Sequence, residues 1–167
     1  MRSDRRTLSV MATEALIERL LDAEQGPSPS AIDALHDLLD DATIETSAMP
    51  KSVAEAARLV GLSTPTLRYY EQEGLVRPGR NASGYREYSA LDLRRLVFLT
   101  RMRLSGMTMT DLKRYILLVE QGPSTIPERR RIMLDQQARI ARQIRELGLA
   151  LEITEYKIRV YEGHPEG

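Results

Sequence analysis

The residues with most to offer chemically lie between Ser63 and Arg86. Ser63, Thr66, Arg68 and Tyr69 crowd into one short stretch, and Arg80, Tyr85 and Arg86 follow in a turn-rich one. Hydroxyl and guanidinium groups are hydrogen-bond donors, the chemistry that holds phosphate oxygens and base edges. Catalysis has no comparable set. The chain has no Cys, which removes disulfides, thiolate metal ligands, thiol sensing and cysteine nucleophiles. Its two histidines, His36 and His164, fall outside this stretch, so neither a metal site nor a cofactor is expected. No nucleophile–base pair or paired carboxylates stand out, and Gly79 and Gly84 punctuate a loop rather than a strand-to-helix phosphate cradle. An enzyme is not expected.

Short helices must position these donors. Ser52 followed by Glu55 forms a capping box that opens a helix over Val53–Val60, and Gly61 ends it where a left-handed residue is needed. After the turn Gly61-Leu62-Ser63, Ser63 caps a second helix with Pro65 in its first turn, running from Thr64 to Glu73 and stopping at Gly74. Two short helices about a Gly-containing turn form a helix-turn-helix, whose second helix can place Thr66, Arg68 and Tyr69 on DNA. A wing should follow: Leu75-Val76 as a short strand, a basic loop from Arg77 to Gly84, and Tyr85-Arg86-Glu87-Tyr88 as the return strand. Such a hairpin can lay Arg80, Tyr85 and Arg86 along the backbone. Tyr70 and Tyr88 are read as small-core residues; Arg94, Arg95 and Arg101 suit phosphates or a solvated helix face equally.

Two linked blocks carry a family resemblance. Arg68-Tyr69-Tyr70-Glu71-Gln72-Glu73-Gly74-Leu75 resembles the core of MerR-type regulators, and Ser83-Gly84-Tyr85-Arg86-Glu87-Tyr88-Ser89 resembles their wing. The resemblance is close over 51–120. It implies a winged helix-turn-helix that binds promoter DNA, with Arg68, Tyr69, Tyr85 and Arg86 on the DNA, chiefly its backbone.

Beyond the wing, Ser89 opens a helix bearing Leu93, Leu96, Val97 and Leu99 that stops at Gly106, and Thr108 opens another bearing Leu112, Tyr115, Ile116 and Val119 that ends at Gln121-Gly122-Pro123. These connectors are expected to pack. Thr125-Ile126-Pro127-Glu128 then caps an unbroken helix to about Tyr161. Its apolar seam is Met133, Ile140, Ile144, Leu147, Leu151 and Ile158, spaced as a heptad repeat with Gln137 and Thr154 at polar positions. A helix this long cannot bury such a seam alone; it pairs with a second copy or packs on the N-terminal segment. The resemblance implies the former, as an antiparallel coiled coil.

The formal charge is zero, but it is unevenly spread. Residues 1–50 hold 4 basic and 10 acidic side chains, whereas residues 51–103 hold 10 basic and 5 acidic. Local charge, not the total, meets a phosphate backbone. Within the acidic arm, residues 7–24 suit a helix carrying Leu8, Met11, Ala15, Ile17, Leu20 and Leu21. Ser30 then caps another carrying Ile32, Leu35, Leu38 and Leu39, before a linker. The resemblance does not reach this arm, which can pack on its own protein, bind another, or compete with DNA for the basic face.

The expected fold is mainly α: an acidic helical extension and linker over 1–49, a winged helix-turn-helix with connector helices over 50–121, a dimerisation coiled-coil helix over 124–162, and a tail over 163–167. The expected function is a cytoplasmic homodimer that binds a two-fold double-stranded promoter site and controls transcription by distorting it, with RNA polymerase as a further partner. The alternative is an architectural or recombination accessory protein that bends DNA without activating transcription. With thiolate ligands excluded, the effector readings that remain are a small organic molecule or none. No apolar run is long enough to suggest a membrane partner.

Overall fold

The computed structural model describes residues 13–22, 29–40, 44–45 and 48–163. The fold is mainly helical, in two compact units that divide between Met102 and Arg103, within the expected 50–121 segment.

The first unit begins with α1 (Thr13–Leu21) and α2 (Pro29–Leu39), which pack together. Leu8 and Met11 of the expected arm helix lie outside the described residues. In α2 the buried face is Ala31, Ala34 and Leu38, one helical stripe, whereas Ile32 and Leu39 are exposed. The helix begins at Pro29, ahead of the start expected after Ser30.

Then come β1 (Lys51–Ser52), α3 (Val53–Val60), α4 (Thr64–Gln72), β2 (Gly79–Arg80), β3 (Arg86–Tyr88) and α5 (Ala90–Leu104). The strands form one antiparallel sheet in the order β1-β3-β2, with Lys51 opposite Tyr88 and Arg80 opposite Arg86. Leu75 and Val76 are not a strand. Leu75 N–H donates to the Tyr70 carbonyl just past left-handed Gly74, which turns both side chains into the core, where they are 0% exposed. The strand begins later, at Gly79. Leu59, Leu67, Tyr88, Leu96 and Leu99 are buried as well.

The arm is part of this unit. Leu16 and Ile17 are buried, α1 packs against α3, and Lys51 pairs with Glu14 at 2.9 Å. Arg94, an expected phosphate candidate, is 4% exposed and turned toward the arm. Its Nε donates to Thr13 Oγ1 at 3.0 Å and its Nη1 to the carbonyls of Asp37, Leu38 and Asp40 at 3.1, 2.9 and 3.2 Å. The last carbonyls of α2 lack helical partners, and this guanidinium satisfies them.

The second unit holds α6 (Met109–Glu120), a short 3₁₀ turn (Pro123–Thr125) and the 37-residue α7 (Ile126–Glu162). Thr108 caps α6 by accepting from Asp111 N–H at 3.1 Å. Thr125 does not cap α7 with its side chain, contrary to the sequence reading. Its hydroxyl donates instead to the carbonyls of Leu118 and Gly122, closing the preceding turn. α6 packs on the start of α7, where Ile132 and Gln136 are buried. At about 1.5 Å per residue, α7 is on the order of 55 Å long. Among the described residues, no helix is long and apolar enough to cross a membrane.

Candidate nucleic-acid interface

Local capping chemistry builds the interface. Ser52 Oγ accepts from Glu55 N–H while Glu55 Oε2 accepts from Ser52 N–H at 2.8 Å, which fixes the start of α3. These bonds stabilise the charged carboxylate and lower the Glu55 pKa, the backbone bond from Ser52 most of all. Gly61, at φ 66°, reverses the chain. Ser63 Oγ accepts from Thr66 N–H at 3.2 Å and lies 2.8 Å from Thr66 Oγ1. Among the expected DNA-binding residues, then, Ser63 and Thr66 are engaged in forming the turn and the start of α4.

The period of α4 sorts its side chains. Leu67 and Tyr70 are buried, as the helix spacing requires; Arg68 and Tyr69 are exposed. The Arg68 side chain makes no hydrogen bond or ion pair with any described residue. Tyr69 is 45% exposed, its ring 6.1 Å from that of Tyr70.

The wing is shaped by a residue that sequence reasoning missed. Asn81 Oδ1 accepts from the N–H groups of Ser83 and Tyr85, both at 3.0 Å, and the Asn81 carbonyl accepts from Gly84 N–H at 2.9 Å. This side-chain-closed turn is the conformation Asn favours, and the loop composition was its only signal. Gly84 completes it at φ 82°. Arg80 Nη1 donates to the Gly84 carbonyl at 3.0 Å, so Arg80 braces the hairpin as well as charging it. Tyr85 projects from the wing, 72% exposed.

Arg86 ties the wing to α4. Its Nε lies 2.5 Å from Glu71 Oε2, an ion pair between side chains about a third and a quarter exposed. Tyr88, next but one in the strand, is fully buried as expected for the core, and its hydroxyl has no hydrogen-bond partner. Burial raises its pKa, with the Glu71 charge adding to the effect.

The structure thus brings Arg68, Tyr69, Arg80, Tyr85 and Arg86 onto two adjoining elements, helix and wing. The described part of the arm meets the domain at Arg94 and Lys51 and leaves Arg68, Tyr69 and Tyr85 exposed. The expected seam on α7 is graded. Met133 and Ile140 are half-buried, while Ile144, Leu147, Leu151 and Ile158 are 65%, 69%, 58% and 50% exposed. Among the described residues, no group of His, Cys, Asp and Glu could hold a metal ion.

Several known proteins are similar to this chain. Residues 51–118 match the family described as MerR HTH family regulatory protein. An HTH-type transcriptional regulator from Haemophilus influenzae is 36% identical over 115 residues, 68% of this chain and 85% of the relative. The HTH-type transcriptional regulator HmrR from Rhizobium leguminosarum is 34% identical over 113 residues, 68% of this chain and 88% of the relative. The crystal structure of a MerR family regulator from Listeria monocytogenes superposes with a TM-score of 0.64 at 33% identity, over 68% of this chain and 87% of that one. That of HiNmlR, a MerR family regulator lacking the sensor domain and bound to promoter DNA, also has a TM-score of 0.64. It is 35% identical, over 69% of this chain and 92% of that one.

Proposed function

The chain belongs to the MerR family of DNA-binding transcriptional regulators, and from that premise we infer that it works as a homodimer on a two-fold promoter site and controls transcription by distorting the DNA there. The observation that carries the reading is the unpartnered seam of α7. Ile144, Leu147, Leu151 and Ile158 keep heptad spacing, yet each is at least half exposed in the single chain. A repeat of this kind is buried by a second helix, and an antiparallel partner gives two-fold symmetry.

Two copies of the helix-and-wing face then meet two half-sites of double-stranded DNA. Arg68, Tyr69, Arg80, Tyr85 and Arg86 hold the backbone at each. Such contacts offset a deformation cost of several kcal/mol, so the complex can untwist or bend a promoter whose elements are out of register for RNA polymerase. The similarity to a regulator bound to promoter DNA supports duplex DNA as the partner. An effector that binds the distorting state more tightly would switch the output. With no Cys in the chain, thiolate-ligated metals are poor candidates, which leaves a small organic molecule or no effector. We place the regulator in the cytoplasm with its promoter.

Footprinting the full chain on the promoter of its own transcription unit, together with in vitro transcription, tests this. The expected result is two-fold protection between the promoter elements, distorted central base pairs and a changed transcript level. Tight binding without a change in transcript would favour an architectural role, and protection of a single half-site by a monomer would overturn the dimer.

A further inference from the structure

We propose that Glu71 is a positioning residue for DNA binding, holding Arg86 so that its terminal guanidinium nitrogens meet a backbone phosphate. The proposal rests on the reading of α4 and the wing as the DNA-contacting face.

The geometry is specific. The Glu71 carboxylate engages Arg86 at Nε, and neither terminal nitrogen of Arg86 hydrogen-bonds any described residue. A guanidinium is a rigid planar fork, so a bond at Nε restrains the plane and leaves the terminal N–H groups for a bidentate acceptor. A phosphate is that acceptor, with two oxygens at matching spacing. The pair is neither deep nor fully exposed, at 31% and 23% side-chain exposure, so Arg86 stays within reach of a ligand at the surface. The bond also joins recognition helix to wing, elements separated by fifteen residues of chain, and so sets the register in which they approach one backbone. Arg68, by contrast, makes no such bond and must be ordered by the DNA itself.

The sign of the charge makes the proposal testable. A carboxylate on a DNA-facing surface repels phosphate. If Glu71 acted only through its charge, removing it would tighten binding. If it positions Arg86, removing it weakens binding despite the lost repulsion.

The experiment measures fluorescence anisotropy of a labelled duplex from the chain's own promoter, titrated with the full-length protein over a range of salt. Glu71→Ala is expected to weaken binding about tenfold and to flatten the dependence of log K on log salt by about one unit, the signature of one lost phosphate. Glu71→Gln, which keeps an acceptor oxygen for Nε, should recover most of the affinity, and it serves as the test if the alanine variant fails to fold. In an Arg86→Ala background, Glu71→Ala should cause no further loss. Weakened binding in Arg86→Ala with unchanged or tighter binding in Glu71→Ala would overturn the positioning role alone. A further loss in the Arg86→Ala background with an unchanged salt slope would also overturn it, leaving Glu71 a brace of the fold. Wild-type affinity in Arg86→Ala would remove the phosphate contact itself.

Discussion

Arg94 Nε donates to Thr13 Oγ1 at 3.0 Å, joining α5 to a helix 81 residues earlier in the chain. The same guanidinium gathers three carbonyls at the end of α2, so one buried side chain fastens both helices of the arm to the winged domain. The arm is therefore an added layer of the DNA-binding unit.

Arg94→Ala should release the arm. It leaves Thr13 and the α2 carbonyls without their charged donor, at about 1.5–3 kcal/mol for a hydrogen bond to a charged group and more for the set. Limited proteolysis should then cut within residues 13–40, and thermal unfolding should begin several degrees lower. Arg94→Lys should fare little better, because a single ammonium cannot reach the set of acceptors that a forked guanidinium spans. Affinity for DNA should change much less than in Arg68→Ala. An unchanged proteolysis pattern would mean that apolar packing of Leu16, Ile17 and Leu38 alone holds the arm.

The contrast between local and distant contacts explains what the sequence could reveal. The span of α3, its capping box and its Gly61 stop are encoded within ten residues, and the structure reproduces them. α4 and the exposed positions of Arg68 and Tyr69 follow from the same local logic. β1 is two residues long and exists only because β3 lies beside it, so Lys51-Ser52 carried no strand signal of its own. Leu75 and Val76 are β-compatible, but backbone bonding after Gly74 outweighs propensity there. The pairing of Glu71 with Arg86 and the turning of Arg94 away from solvent depend on tertiary placement. By sequence, Arg86 is expected on the DNA and Arg94 on phosphates or a solvated face, and neither partner is foreseen.

The capping box predicts a pH dependence. Glu55 titrates below its ordinary 4.5 because Ser52 donates to its charged form. A depressed carboxylate pKa contributes stability that is complete above the unfolded value and is lost as pH falls through the folded one. The α3 start should therefore loosen only below about pH 4.5. Carboxyl NMR titration should show Glu55 moving only part of the way back toward its ordinary value in Ser52→Ala, because the main-chain N–H of residue 52 still donates to the carboxylate. A pKa unmoved by that substitution would assign the shift to the main-chain bond alone and deny the Ser52 hydroxyl a part in it.

Arg68 and Arg80 should separate by salt dependence and by wing order. Arg68 is exposed and without a described partner, so Arg68→Ala should lower affinity and reduce the salt slope by about one unit if it neutralises one phosphate, with thermal stability unchanged. Arg80→Ala also removes the bond to the Gly84 carbonyl, so it should additionally broaden the amide resonances of 81–85 in the free protein. Identical behaviour of the two variants in the free state would deny Arg80 its brace.

Ile144→Asp tests the seam. The helix cannot cover this residue itself: it is 65% exposed, and Leu147 and Leu151, the next seam positions, are exposed too. The anchored part of α7 is its start, where Ile132 and Gln136 are buried and Gln136 Nε2 donates to Ser105 at 2.9–3.0 Å. Substitution at 144 should therefore leave the monomer folded and act on assembly. In a two-fold dimer each change occurs twice, placing two carboxylates in apolar surroundings. At about 3 kcal/mol or more for an unpaired buried charge, the dimer dissociation constant should rise by at least about a hundredfold. Sedimentation at micromolar concentration should show monomers, and binding to the full two-fold site should weaken while a half-site loses little. Glu152→Ala, an exposed residue off the seam, should remain dimeric. If Ile144→Asp sediments as the wild type does, the copies associate through another surface, and the exposed stripe of α7 must be covered by something other than a second α7.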